Sequence, residues 1–234
     1  MNARMLMLRP VWNFANDRSD AESGRTKKLI FAIVGIVGAS AVFLVTRSGG
    51  PPANAVGPMS AVGQIAAEET AKLLGSGGRV VVVHNPTLYV ASPLLRGQFD
   101  AFEATIKQQR GVTVTATEAV QGKDLSSAGG LTASKYTDLV EKYPDAEVIV
   151  SFVGPPILNG SQIKSLPQKH PSFVAVSLSG APLKRLFEEN VIQVAIINRL
   201  EPAPPSSSQP KTARDWFAQL FQVVTASDAS SLPS

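Results

Sequence analysis

The sequence predicts an α/β domain: a doubly wound parallel sheet of five strands, order 2-1-3-4-5, with helices on both faces, preceded by one transmembrane helix. Three observations predict it. Five short apolar runs recur between residues 79 and 198. Segments whose apolar residues follow helical spacing separate them. Strands buried on both faces read as continuous apolar runs, and parallel neighbours need crossovers long enough to hold a helix. Far upstream, Leu29–Val45 (LIFAIVGIVGASAVFLV) carries no charge and no proline and lies between cationic flanks.

The chain begins with a basic tail, residues 1–28, in which Arg4, Arg9, Arg18, Arg25, Lys27 and Lys28 outnumber Asp17, Asp20 and Glu22. The next seventeen residues, 29–45, make a helix of about 25 Å, enough to cross a thin hydrocarbon core. The positive-inside rule leaves the tail in the cytoplasm and sends the rest across the inner (plasma) membrane. Ala53-Asn54-Ala55 offers a signal-peptidase pattern, but the long charged lead and the length of the apolar run favour an uncleaved signal anchor. The bilayer is thus one expected partner, and the expected location is single-pass with an extracytoplasmic, periplasmic C-terminal domain.

Residues 46–59 (TRSGGPPANAVGPM) form a Gly/Pro-rich tether. The main domain spans 60–225. It opens with a helix over 60–75, capped by Ser60 and stopped by GSGG. RVVVVH (79–84) is the first strand. The second helix covers 93–109, with Ser92 as cap, Pro93 at the first turn, and Leu95, Phe99, Phe102 and Ile106 along one face. VTVTATEA (112–119) is the second strand. Tyr136, Leu139, Val140 and Tyr143 mark the next helix, which ends at Pro144. EVIVSFV (147–153) is the third strand, Ser161–Leu166 a short helix, SFVAVSL (172–178) the fourth strand, Pro182–Glu189 a helix, and VIQVAIIN (191–198) the fifth strand. Residues 201–210 read as a Pro/Ser linker. Thr212-x-x-Asp215 caps a last helix whose stripe is Trp216, Phe217, Leu220, Phe221 and Val224. Residues 226–234 read as a frayed polar tail.

Charge and composition narrow the function. The chain has 22 Lys and Arg against 18 Asp and Glu, a net charge of +4. The tail supplies much of that excess, and residues 79–200 hold twelve cations and ten anions, so no basic stripe for nucleic acid is present. No cysteine occurs, which excludes disulfides, thiolate metal sites and cysteine nucleophiles. Two separated histidines and no clustered carboxylates argue against a metal site, and no cofactor is expected.

In a doubly wound sheet, ligands bind beyond the carboxyl ends of the strands. The candidate ligand-binding residues there are His84, Asn85, Arg96, Ser179 and Asn198. His84 ends an apolar strand and can donate or accept a hydrogen bond. It also fits a structural role at a strand end. Ser179 sits where a hydrolase elbow would place its serine, but SLSGA lacks the G-x-S-x-G frame and no acid completes a triad, so no catalytic residue is assigned.

The segments GRVVVV, Ser92 to Arg96, Phe99-x-x-Phe102, GVTVTATEA, YPDAEVIVSF, VAVSLSGAP and VIQVAII together resemble the C-terminal lobe of type I periplasmic sugar-binding proteins and the related LacI-type effector-binding domains. The resemblance covers about residues 60–225. It implies that Arg96 stands for a helix-opening arginine that grips ligand hydroxyls, and Asn198 for a polar residue after the last strand. Gly154-Pro155 and Ser179 stand where the family pattern has Asp or Asn after the third strand and Asp after the fourth. Only one lobe fits in the chain, so the resemblance implies half of a cleft. The expectation is a membrane-anchored, non-enzymatic solute-binding or sensing module for a small polar solute, completed by a homodimer or a membrane partner protein. The alternative is a structural or protein-interaction module of an envelope assembly without a small ligand.

Overall fold

A computed structural model describes residues 57–178, 182–201 and 210–233. The run Leu29–Val45, the possible cleavage site at Ala55 and Ser179 lie outside the described residues. Among the described residues, no helix is long and apolar enough to cross a membrane.

Helix α1 (Pro58–Leu74) leads into β1 (Gly78–His84). A short helix α2 (Pro86–Ala91) and then α3 (Pro93–Ile106) cross over to β2 (Val112–Ala119). A minimal strand β3 (Leu131–Thr132) precedes α4 (Ala133–Lys142) and β4 (Val148–Ser151). Next come β5 (Pro156–Ile157), α5 (Gly160–Lys164), β6 (Ser172–Val176), α6 (Lys184–Glu188) and β7 (Val194–Asn198). Helix α7 (Ala213–Leu220) and β8 (Phe221–Thr225) complete the elements of regular length.

The main sheet has the order β2-β1-β4-β6-β7-β8. Its first five members are parallel and correspond to the five expected strands in the expected 2-1-3-4-5 order. The count of five requires correction, because β8 adds a sixth strand, antiparallel to β7. Residues 221–225 continue the helical stripe of α7 on paper, since Ala213, Phe217 and Phe221 are four apart. In the fold, Val223-Val224-Thr225 instead covers the open edge of β7, where backbone N–H and C=O groups would lack partners. Alternation then sends Phe221 and Val223 into one core and Val224 into the other.

The tail beyond it also differs from the frayed end expected. Ala226–Ser231 forms a 3-10 turn capped by Thr225 and Asp228, and Ala229 and Leu232 are buried. Polar composition conceals this, because the two apolar residues are isolated in the sequence.

Two cores flank the sheet. One packs α1, α3 and α7 on Val80, Val82, Val150 and Ile196. The other packs α4, α5 and α6 on Val81, Ile149, Phe173 and Ala195. The small second sheet, β3 with β5, exists because two glycines let backbones meet. Gly130 (φ 118°) and Gly154 (φ 100°) lie in conformations that disfavour side chains, and a β-carbon on Gly154 would lie 3.1 Å from Gly130 Cα. Leu131 N–H then donates to Pro155 O at 3.0 Å.

Candidate functional site

All five parallel strands end at one edge, so this edge is where the fold gathers candidate residues. His84 closes β1. Its ring packs beside Tyr89 of α2 (centroids 5.1 Å, planes 19° apart) and Phe99 of α3 (4.9 Å, 23°), and those two rings meet each other at 5.2 Å, so the three form a triangle. Phe99 continues edge-on to Phe152 at 5.9 Å, and Phe152 to Phe102 at 5.1 Å. His84 Nδ1 and the Tyr89 hydroxyl are buried without protein partners. Desolvation holds the imidazole below its ordinary pKa, with the charge of Glu103 pulling weakly the other way. Burial, and then the charge of Asp100, pushes the Tyr89 phenol up. His84 is therefore neutral at pH 7 and serves as an aromatic layer that seats α2 and α3.

Asn85 is buried and caps α2, its Oδ1 accepting from Thr87 N–H at 3.0 Å. Ser92 caps α3 by accepting from Leu95 N–H at 3.4 Å, as the sequence implies. Arg96 points to solvent, with Nε 3.7 Å from Asp100 on the same helix. Asn198 donates from Nδ2 to Leu178 O at 2.9 Å and so ties the exits of β6 and β7 together. Three strand spacings separate β1 from β7, about 14 Å. His84 and Asn198 therefore share an edge but not a pocket.

Glu118, near the end of β2, is another ionisable group at this edge, and its carboxylate is fully engaged. Lys142 Nζ lies 2.6 Å from Oε1, Lys135 Nζ 3.6 Å from Oε2, and the Tyr143 hydroxyl donates to Oε1. Burial alone raises the carboxyl pKa, but the hydrogen bonds from Lys142 and Tyr143 and the two lysine charges outweigh it and hold it below the glutamate range. A carboxylate with a depressed folded pKa contributes stability that is present above its unfolded pKa and lost as pH falls toward the folded one. Glu118→Gln is thus expected to cost about 1–2 kcal/mol at pH 7. It should also flatten the loss of stability below about pH 5. Urea unfolding midpoints across pH 3–7 (about that range) check both effects.

A cavity of about 270 Å³ opens beyond β6 and β7. Leu178, Leu183, Ile197 and Leu232 make it largely apolar, and Ser177, Asn198 and Arg199 supply polar groups. The Ser177 hydroxyl is buried and has no hydrogen-bond partner. The guanidinium of Arg199 donates to Ala218 O and Glu201 O, both at 3.2 Å. Sequence reasoning placed Asn198 here but missed Ser177, Leu183 and Leu232. Ser177 reads as the polar end of a buried strand, and Leu232 lies in a segment that reads as polar tail. At the third exit, Ser151 Oγ donates to Gly154 O at 2.6 Å, so this turn is occupied with its own backbone.

A wider groove of about 440 Å³ lies at the opposite, amino edge. Arg79 in it pairs with both acidic residues of the lining, lying 3.6 Å from Asp145 and 3.7 Å from Glu147. His170 lies there too, with Nδ1 3.0 Å from Pro171 O. Among the described residues, no cluster of His, Asp and Glu has the composition of a metal site.

No protein-family model and no curated protein matches this chain. Solved structures do. AraP, an arabinose-binding protein from Geobacillus stearothermophilus, is 20% identical over 75% of this chain and 63% of its own, with a TM-score of 0.51. A sugar-binding protein of a sugar ABC transporter from Bacillus halodurans is 16% identical, over 75% and 64%, at 0.51. An ABC-transporter solute-binding protein from Burkholderia graminis, solved with D-arabinose, is 13% identical, over 75% and 62%, at 0.50. This chain spans less than two thirds of each. At these identities the likeness is one of fold, and it agrees with the periplasmic sugar-binding resemblance seen in the sequence.

Proposed function

We propose that the domain binds a small polar solute without transforming it, at the carboxyl edge over β6 and β7. The observation that carries this reading is the cavity holding Ser177, Asn198 and Arg199, at the edge where doubly wound sheets take ligands. The fold shared with arabinose-binding and other solute-binding proteins supports it. The site is half of a cleft, so a second copy or a membrane protein completes it. Leu29–Val45 anchors the chain in the inner membrane, with the tail in the cytoplasm and the domain outside.

Thermal unfolding of the full chain in detergent, titrated with sugars, nucleosides and amino acids, tests the solute reading. A ligand at about a hundred times its Kd adds about 2.7 kcal/mol and raises Tm by several degrees. Ser177→Ala separates the cavity from the rest of the surface. Removing a buried hydroxyl that lacks a partner should raise the ligand-free stability by up to about 1 kcal/mol. The same substitution should shrink the ligand-induced shift. If no compound in any class moves the wild-type Tm, solute binding at this edge is wrong.

A further inference from the structure

Exposed apolar side chains are not spread evenly over this domain. Of the seven large ones exposed among the described residues, five (Leu88, Val90, Leu94, Leu200 and Leu220) stand at the carboxyl edge. Leu88 and Val90 lie on α2, which buries none of its residues, and Leu94 on the first turn of α3. Leu200 follows β7, and Leu220 lies beside it, its carbonyl accepting from Arg199 N–H at 2.9 Å. Val90 is 90% exposed and Leu94 65%. Scattered exposed leucines are ordinary, but their concentration on one edge marks a surface meant to be covered.

The chain also enters the domain at this edge. Helix α1 precedes β1 through a tight turn, so its first residues lie beyond the strands' carboxyl ends. Ser60 Oγ sits 3.4 Å from where a β-carbon on Gly97 would be, one turn past Leu94. Twelve residues, 46–57, separate Val45 from Pro58 and reach at most about 40 Å when fully extended. Lys123 and Lys184 stand at this edge with Arg96, which pairs with Asp100, and Arg199, which donates to backbone carbonyls, against Asp124, Glu201 and the lysine-paired Glu118. The edge is thus apolar with a small excess of cations, a combination that favours an anionic lipid surface.

We propose that the carboxyl edge, led by Leu88, Val90 and Leu94, docks on the anionic headgroup layer of the membrane in which the chain is anchored. The proposal takes its orientation from the reading of Leu29–Val45 as an anchor. Docking holds α2 against the bilayer and opens the Ser177 cavity beside the membrane surface, toward a partner embedded in it.

The absence of native cysteine makes the test direct. Full-length Val90→Cys and, as the amino-edge control, Asp145→Cys are each labelled with a polarity-sensitive fluorophore. They are reconstituted in phosphatidylcholine–phosphatidylglycerol vesicles carrying headgroup-level spin-labelled lipid. The label at position 90 should be quenched several-fold more than the label at 145. Adding Leu88→Ser and Leu94→Ser should bring it to the control level while the chain still resists carbonate extraction. Equal quenching in a carbonate-resistant chain overturns docking and leaves the anchor standing. Shielding at position 90 that grows with protein concentration in the absence of lipid assigns the edge to a second copy and also overturns the proposal. If carbonate extracts the chain, the anchor reading fails and flotation with the same vesicles decides docking. Flotation lost in the double serine variant supports it, and no flotation of the wild type overturns it.

Discussion

Gly63→Ala should lower the unfolding free energy by about 3 kcal/mol, at the upper end of what overpacking costs. Gly63 lies in α1 where that helix crosses α3. A β-carbon there would overlap the Gln98 carbonyl oxygen and come 3.0 Å from Phe102 N. Both are backbone atoms inside a helix, so neither can rotate away. The helices must separate, and the layer formed by Ala61, Val62 and Phe102 loosens with them. Gly97→Ala is the matched control on the facing helix. Its β-carbon would meet only Ser60 Oγ, at 3.4 Å. Helix propensity should therefore prevail there and stabilise the chain by about 0.5–1 kcal/mol. Urea unfolding of the two variants beside the wild type checks the pair. Equal effects at positions 63 and 97 would show that the helices do not approach as closely as described.

Phe102→Ala should cost about 3–5 kcal/mol. The ring is fully buried between α1 and the sheet and meets Phe152 edge-on at 5.1 Å. Truncation removes the transfer free energy of the ring and leaves a cavity that α1, β1 and β4 cannot close without moving. Because Phe152 and Phe99 join this layer to His84, the loss should also loosen α2 and the aromatic stack at the end of β1. The global effect is read by urea unfolding and the local one by amide exchange over residues 84–92. A loss below 1 kcal/mol, the cost of a mere surface change (about that size), would mean that the layer is not packed as described.

Much of the fold is legible in the sequence because the signals are local. RVVVVH, EVIVSFV and SFVAVSL are too continuously apolar to face water on either side, so each reads as a central strand without reference to its neighbours. Ser92 before Pro93, and Thr212 with Asp215, place helix starts through contacts within three residues, and both caps form as read. The short helix α2 is less visible. Asn85-Pro86 carries a cap and a first-turn proline, but the five helical residues that follow present no apolar stripe, because Tyr89 alone among them packs inward on His84 and Phe99.

The candidate site is less legible for the same kind of reason. A polar residue at a strand exit can face a ligand or serve the backbone, and the two look alike in sequence. Asn85 caps α2, Asn198 holds Leu178 O, and Arg199 reaches Ala218 O and Glu201 O. Ser177, which reads as the plain end of a buried strand, keeps a buried hydroxyl without a partner, as Tyr89 does at the end of β1.

By itself, then, the sequence determined the five parallel strands, their order and the alternation of helices. Apolar runs, helical spacing and caps act over a few residues, and right-handed crossovers leave few ways to assemble them. Tertiary structure alone decided that Phe221–Thr225 leaves the helical pattern to become a sixth strand, that Leu232 closes the cavity, and which polar groups at the carboxyl edge remain uncommitted. Those outcomes depend on pairing between residues twenty or more positions apart, such as Asn198 with Phe221. There the free energy of covering an open sheet edge outweighs local preference.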